Sequence, residues 1–284
     1  MKRRPGFRFR GPFLNLLIIN NGNNISIYTQ RRFLQRVLHE NRCFPCEMKK
    51  AALVTGGAVR IGKEISLNLA RKGYYLALHY NSSEKEALAT RELILGTGVE
   101  CELFRCDLSS PDDAKELIPR VMESFGGLCV LVNNASIFEN VGFRDMTPEF
   151  LETDMAINFK APFFLSQSFS TEASGGLIVN FLDTRIRKNP VEHFCYNLSK
   201  KCLYHLTKML ARELAPDFRV NAVCPGAVLA PPGFGDDYLH KMARGAPMKR
   251  PGSVEDIINA FNYLLENNYV TGECLFVDGG MSLT

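Results

Sequence analysis

Ala51-Ala52-Leu53-Val54-Thr55-Gly56-Gly57-Ala58-Val59-Arg60-Ile61-Gly62 is the stretch on which the fold turns. Four consecutive apolar residues suit a strand covered on both faces, since a half-exposed strand would alternate. A glycine turn follows directly, and a helical pattern then opens at about residue 61. Gly56 permits a tight turn, and Gly62 allows the helix start to pack closely against the strand. Strand, glycine turn and helix in this order make one βα unit.

The same alternation continues downstream. Short apolar or β-branched runs occur at Tyr75–His79, Val99–Cys106, Cys129–Asn133, Gly176–Leu182, Arg219–Val223 and Cys274–Val277. Between them lie helical stretches at about 61–72, 84–95, 111–124, 148–168, 194–214 and 254–265. Strands alternating with helices of this length imply βαβ units and a doubly wound α/β fold. The expectation is one Rossmann-type domain over 48–284, with a seven-stranded parallel sheet flanked by helices. No internal repeat and no interdomain linker interrupts it.

Upstream, the pattern is lost. Residues 1–47 lack periodicity and hold nine Lys or Arg against Glu40 and Glu47, a balance of +7. The whole chain carries +4, so the body from Met48 onward carries −3. A mildly acidic body gives no reason to expect a nucleic-acid partner. The leader's apolar stretch Phe13 to Ile19 is short, is broken by Asn15 and lacks a small-residue cleavage site, which is weak for a secretory signal. An organellar transit peptide suits its Arg content but not its scarcity of Ser. A third reading takes the leader as disordered or untranslated, with translation starting at Met48. No apolar run approaches the roughly 18 residues of a membrane span, so no membrane partner is expected.

Composition fits this picture, with 46% hydrophobic and 23% charged residues. Nine scattered cysteines, an odd number, suit a reducing compartment, and the expected location is cytoplasmic. Cys43 and Cys46 form one CxxC, but no second ligand pair lies nearby, so no metal is expected. Cys195 reads as a small buried filler.

The turn Thr55-Gly56-Gly57-Ala58-Val59-Arg60-Ile61-Gly62 places backbone N–H groups of a helix N-terminus toward a pyrophosphate, so it is a candidate dinucleotide site. Four residues apart, Tyr196 and Lys200 in Tyr196-Asn197-Leu198-Ser199-Lys200 share one helix face. A phenol there would give a proton, and an ammonium beside it would lower its pKa from about 10. Together these motifs resemble the TGxxx(R)xG turn and the YxxxK pair of the short-chain dehydrogenases/reductases. The resemblance runs over 48–284. It extends to Asn133-Asn134-Ala135-Ser136 closing the fourth strand, Pro225-Gly226 after the sixth and Val277-Asp278-Gly279-Gly280 near the end.

That resemblance implies a nicotinamide cofactor held by Thr55, Gly56, Arg60, Ile61, Gly62, Asn134, Ala135, Ser136, Tyr196, Lys200, Pro225 and Gly226. Asp107 and Leu108 correspond to the adenine side. At the end of the second strand, His79-Tyr80-Asn81-Ser82-Ser83 contains no acid to repel a 2′-phosphate. NADPH is therefore the expected cofactor, with Arg60 or Lys85 supplying a charge that many pteridine reductases place where Ser82 stands. Lys200 would also hold the nicotinamide ribose, and Asn158 would hold a water linking Lys200 to solvent or satisfy a helix kink.

Thirteen residues before Tyr196, most members of the family place a serine. This chain has Asp183. A carboxylate would repel the charge developing on a carbonyl oxygen, but it suits a substrate that takes a proton on a ring nitrogen. The Asp183–Tyr196–Lys200 set resembles the pteridine reductases, and Arg60, Ser136 and Phe138 match residues that flank a pterin there. Phe138 would stack on the heterocycle. The implied function is hydride transfer from NADPH to a pterin or dihydropterin, and the implied assembly is a homotetramer. The loop 226–250 would close over the substrate. Three alternatives stand beside this. Thr184 could supply a hydroxyl by a one-residue slip with Asp183 in solvent. The chain could be a 3-oxoacyl thioester reductase, or a cofactor-binding regulator without catalysis.

Overall fold

The computed structural model describes residues 50–231 and 233–284. The expectations for the leader and its CxxC lie outside the described residues. Strands β1 (Ala51–Val54), β2 (Tyr75–Tyr80), β3 (Cys101–Arg105), β4 (Val130–Asn133), β5 (Gly176–Phe181), β6 (Phe218–Pro225) and β7 (Cys274–Val277) pair in the order β3-β2-β1-β4-β5-β6-β7. Every pairing is parallel. The strand order reverses between β1 and β4, which opens a crevice at their carboxyl ends where ligands of such sheets bind.

Helices α1 (Arg60–Arg71), α2 (Glu84–Leu95), α3 (Pro111–Phe125), α4 (Pro148–Met155), α5 (Ala161–Glu172), α6 (Phe194–Glu213), α7 (Asp236–Ala243) and α8 (Val254–Glu266) connect them. Their starts follow from local chemistry. The Ser110 hydroxyl accepts the Asp113 N–H and Pro111 opens α3, while Ser253 and Asp256 form a reciprocal capping box on α8.

Alternation along the strands explains the continuous apolar runs. In β1, Ala52 and Val54 join one core with Ile65, Leu69, Leu78, Phe261 and Leu264. Ala51 and Leu53 point the other way, into a second core with Leu117, Val121, Leu131, Leu165 and Phe169. A strand with both faces covered has no polar face to show. Each fully buried Leu, Ile or Phe contributes about 1.5–3 kcal/mol by leaving water, and both layers of helices are held this way.

Two parts of the expected pattern change. The stretch read as one helix over 148–168 is interrupted by a π turn at Ala156–Lys160, where Ala161 N–H bonds to the Ala156 carbonyl five residues back. The stretch 226–250, expected as loop, contains the two-turn helix α7. Among the described residues, no helix is long and apolar enough to cross a membrane.

Candidate active site

The end of β1 is joined to the end of β4 by side chains that the glycine turn leaves room for. The Thr55 hydroxyl donates to the Val132 carbonyl at 3.2 Å and accepts the N–H groups of Asn134 and Ala135 at 2.9 and 3.0 Å. Asn134 Nδ2 returns bonds to the carbonyls of Thr55 and Gly56 at 2.9 and 3.2 Å. Gly56 has φ +60°, and a Cβ on Gly62 would stand 2.2 Å from the Gly56 oxygen. The turn thus requires both glycines. No side chain caps the start of α1 at Val59, and its first turn holds no acid. Its amide groups face a cavity of about 530 Å³ lined by Val59, Arg60, Ile61 and Gly62.

His79 completes the turn from behind. It is 2% exposed. Its Nδ1 accepts the Gly56 N–H at 3.0 Å, so its Nε2–H donates to the Cys106 carbonyl, also at 3.0 Å. Burial lowers its pKa to about 4, which keeps the ring neutral and Nδ1 free to accept. His79 was expected to touch the cofactor. The structure places its side chain as a buried brace between β1, β2 and β3, because both ring nitrogens are already bonded to backbone.

The opposite wall is built by β5 and α6. A buried polar chain fixes their spacing: Asn133 Nδ2 donates to Asn180 Oδ1 at 2.8 Å, and Asn180 Nδ2 donates to the Thr207 hydroxyl at 2.9 Å. Immediately beyond β5, Asp183 Oδ1 accepts the Arg185 N–H at 2.7 Å. Its other oxygen, Oδ2, accepts the Tyr196 hydroxyl at 3.0 Å. The Thr184 hydroxyl instead donates to Asp278, on the turn after β7. The one-residue slip is therefore not what this site does: Asp183 faces the tyrosine.

Lys200 is 2% exposed and donates to the Phe181 carbonyl at 2.8 Å. Burial lowers its pKa to about 8, with Asp183 and Asp154 opposing. Tyr196 departs from expectation. Burial first, and then the Asp183 carboxylate, push its phenol well above 10, and Arg185 opposes. Burial and the carboxylate outweigh the lowering expected from Lys200, whose ammonium donates to the Phe181 carbonyl and stands 5.6 Å from the centre of the tyrosine ring. In this geometry the phenol is a firmly protonated donor to a carboxylate.

Asn158 sits in the π turn, fully buried. Its Oδ1 accepts the Ser136 hydroxyl at 2.8 Å and the Ile137 N–H at 3.0 Å, while its Nδ2 donates to the Ile137 carbonyl at 3.1 Å. It clamps the segment after β4 that carries Phe138. That phenylalanine lines the cavity, edge-on to Tyr196 at 4.7 Å, but His193 is already stacked on it at 3.8 Å. Arg60 lines the same cavity and donates to the carbonyls of Leu229 and Ala230 at 3.4 and 2.9 Å, so it ties the cofactor turn to the segment after β6.

Of the expected residues, the cavity gathers Gly56, Arg60, Ile61, Gly62, Asn134, Ala135, Ser136, Phe138, Asp183, Tyr196, Lys200, Pro225 and Gly226. It does not include Thr55, His79, Tyr80, Asn81, Ser82, Ser83, Asp107, Leu108 or Asn158. Thr55, His79 and Asn158 brace the site from outside it. Asp107 Oδ1 accepts the N–H and hydroxyl of Ser109 at 2.9 and 2.7 Å, a turn of its own making. Sequence reading missed Tyr238, Leu239 and Met242 of α7, and also Met281 and Arg185, all of which line the cavity. The apolar spacing of 238, 239 and 242 was the available signal for the first three. Among the described residues, no cluster of three or more His, Cys, Asp or Glu could hold a metal.

Residues 57–282 match the family model described as enoyl-(acyl carrier protein) reductase. The chain is 34% identical over 242 residues to the 3-oxoacyl-[acyl-carrier-protein] reductase FabG of Staphylococcus epidermidis, covering 82% of this chain and 99% of that one. Its fold is similar to the FolM alternative dihydrofolate reductase 1 of Brucella canis complexed with NADP (TM-score 0.77, 32% identity), covering 84% of this chain and 97% of that one. The Brucella suis protein of the same name, also in complex with NADP, gives a TM-score of 0.79 at 31% identity, covering 84% and 96%.

Proposed function

The chain belongs to the short-chain dehydrogenase/reductase family, and on that premise we propose that this oxidoreductase uses NADPH to reduce a pterin or dihydropterin. The observation that carries the reading is the Asp183 carboxylate accepting the Tyr196 hydroxyl at 3.0 Å on the cavity wall. The relatives solved as alternative dihydrofolate reductases with NADP agree with it.

The cofactor's fit rests on the uncapped start of α1, the Gly56 turn and the adjoining cavity. The amide groups of Arg60, Ile61 and Gly62 would hold its pyrophosphate, and Lys200 its nicotinamide ribose. When bound, NADPH supplies a hydride. The protein's own residues supply the proton. The proton for a ring nitrogen comes from the hydrogen-bonded Asp183–Tyr196 pair, whose shared proton lies in the 3.0 Å bond. The pair takes a proton from solvent before the next turnover. Asn158 holds the Ser136–Phe138 wall at the distance this requires.

A second reading, reduction of a 3-oxoacyl thioester, is favoured by the 34% identity to the Staphylococcus epidermidis enzyme. A carbonyl oxygen becoming an alkoxide would face the charge of the Asp183 carboxylate, whereas a ring nitrogen that takes a proton would not, which is why the pterin reading stands first. Steady-state NADPH oxidation with oxidised pterins, dihydropterins and an acetoacetyl thioester decides between them. A pterin kcat/KM above that of the thioester is expected, and the reverse order would sink the proposal.

A further inference from the structure

Arg185 stands two residues beyond Asp183 in the wall of the cavity, and its one effect described so far is to oppose the rise of the Tyr196 phenol. The Asp183 carboxylate fixes its backbone through the 2.7 Å bond to its N–H. The guanidinium carbon lies 4.9 Å from the centre of the Phe138 ring, which itself meets Tyr196 edge-on at 4.7 Å. The cation is thus held beside the reacting groups rather than at the mouth of the cavity. Its Nη1 is buried without a hydrogen-bond partner among the described residues. A charged donor that has lost its water and found no protein acceptor is unusual, and an acceptor from a ligand is what would satisfy it.

We propose that Arg185 is a specificity-determining residue that recognises the ring carbonyl of a flat oxo-heterocycle held against Asp183 and Tyr196. Resting on the pterin reading above, it names the part of the ligand that is read. A guanidinium presents two parallel N–H groups, which match the carbonyl oxygen at C4 and the unprotonated N5 on the same edge of an oxopteridine. The same group would discriminate against an amino substituent at that carbon, because two donors would then face each other. The placement beside Phe138, which meets Tyr196 edge-on, favours the ring over a flexible tail, since the guanidinium is held next to the reacting groups where the ring of the ligand must come.

Competition binding in the NADPH-loaded enzyme tests this without relying on turnover, using a 2-amino-4-oxopteridine and a 2,4-diaminopteridine as probes. Arg185→Ala is expected to weaken the oxo compound by about 10- to 100-fold while changing the diamino compound by less than about threefold. Arg185→Lys, which keeps the charge but not the fork, should recover only part of the loss and serves if the alanine variant does not fold. NADPH affinity, measured alongside, should not move. Equal losses for both pteridines, or no loss for either, would overturn the assignment of Arg185 and leave the pterin reading standing. Failure of the unaltered enzyme to bind any pteridine overturns both.

Discussion

Asp183 and Tyr196 show how one atom-to-atom contact decides chemistry. The phenol is pushed up by burial and by the carboxylate it donates to, so the pair holds a proton most firmly on the tyrosine. Asp183→Ser should lower pterin kcat by about 10²- to 10⁴-fold. A serine variant that keeps the rate would end the role given to Asp183. This residue was legible in the sequence because its position is a count of thirteen back from Tyr196 on a strand end and a helix start, both recognisable from pattern. His79 was not legible in the same way. Its neighbours in sequence place it at a strand end facing the cofactor, but its partners are Gly56 and Cys106, 23 and 27 residues away. The direction of the Tyr196 shift was missed for a related reason. Spacing of four puts Lys200 on the same helix face, yet only the fold shows that its ammonium is taken by the Phe181 carbonyl.

Among the elements, the β1–α1 turn and the π turn after α4 differ in how openly the sequence announces them. The turn is written in glycines, and its tolerance can be stated. Gly62→Ala would bring a methyl 2.2 Å from the Gly56 oxygen, a backbone atom that cannot move without shifting β1. We expect that variant to lose NADPH binding measured by fluorescence titration, even where circular dichroism shows a folded chain. Binding within about threefold of the parent would show the turn to be more pliant than its geometry implies. The π turn carries no comparable sign, since Ala156-Ile157-Asn158-Phe159-Lys160 has good enough helix formers and no proline or glycine. It is maintained by tertiary bonds from Asn158 to Ser136 and Ile137. Asn158→Ala would leave the Ile137 amide without its acceptor and release the segment carrying Phe138. Its expected effect is a pterin KM raised about tenfold with a smaller change in kcat, since the residue positions rather than reacts. A loss confined to kcat would favour a role in proton transfer instead. Helix α7 was missed because Pro231, Gly233 and Gly235 dominate the start of its segment, although Tyr238, Leu239 and Met242 then line the cavity.

At the scale of the whole molecule, the buried titratable groups predict a stability maximum bounded on both sides. On the acid side the group to watch is His79, with its folded pKa near 4 against 6.5 when exposed. Between those values the unfolded chain binds a proton that the folded chain refuses, so stability present above pH 6.5 is lost as pH falls toward 4. The loss from this group is about 3 kcal/mol, and it begins before exposed carboxylates titrate. On the alkaline side, burial raises Cys106, Cys129 and Cys274 to about 11 and Cys101 and Cys195 to about 12, and raises Cys224 as well. Above pH 9 the unfolded thiols ionise and the folded ones do not, so stability falls with rising pH. At pH 10 each contributes a loss of about 1.4 kcal/mol, roughly 8 kcal/mol for the six. Lys200 acts in the opposite sense: with a folded pKa of about 8, it adds stability as pH rises from 8 toward 10.5, by about 3 kcal/mol at pH 10. The thiols outweigh it. Melting temperatures measured in reductant from pH 4 to 10 should therefore drop below pH 6.5 and above pH 9. His79→Asn, whose amide oxygen lies where Nδ1 accepts from Gly56, should move the acid drop toward pH 4. Cys224→Val should soften the alkaline one by about a sixth, because one of six comparable groups is removed. A melting temperature that stays level to pH 10 would mean that the thiols are reached by solvent in the folded chain, and that the packing around them is looser than their burial implies.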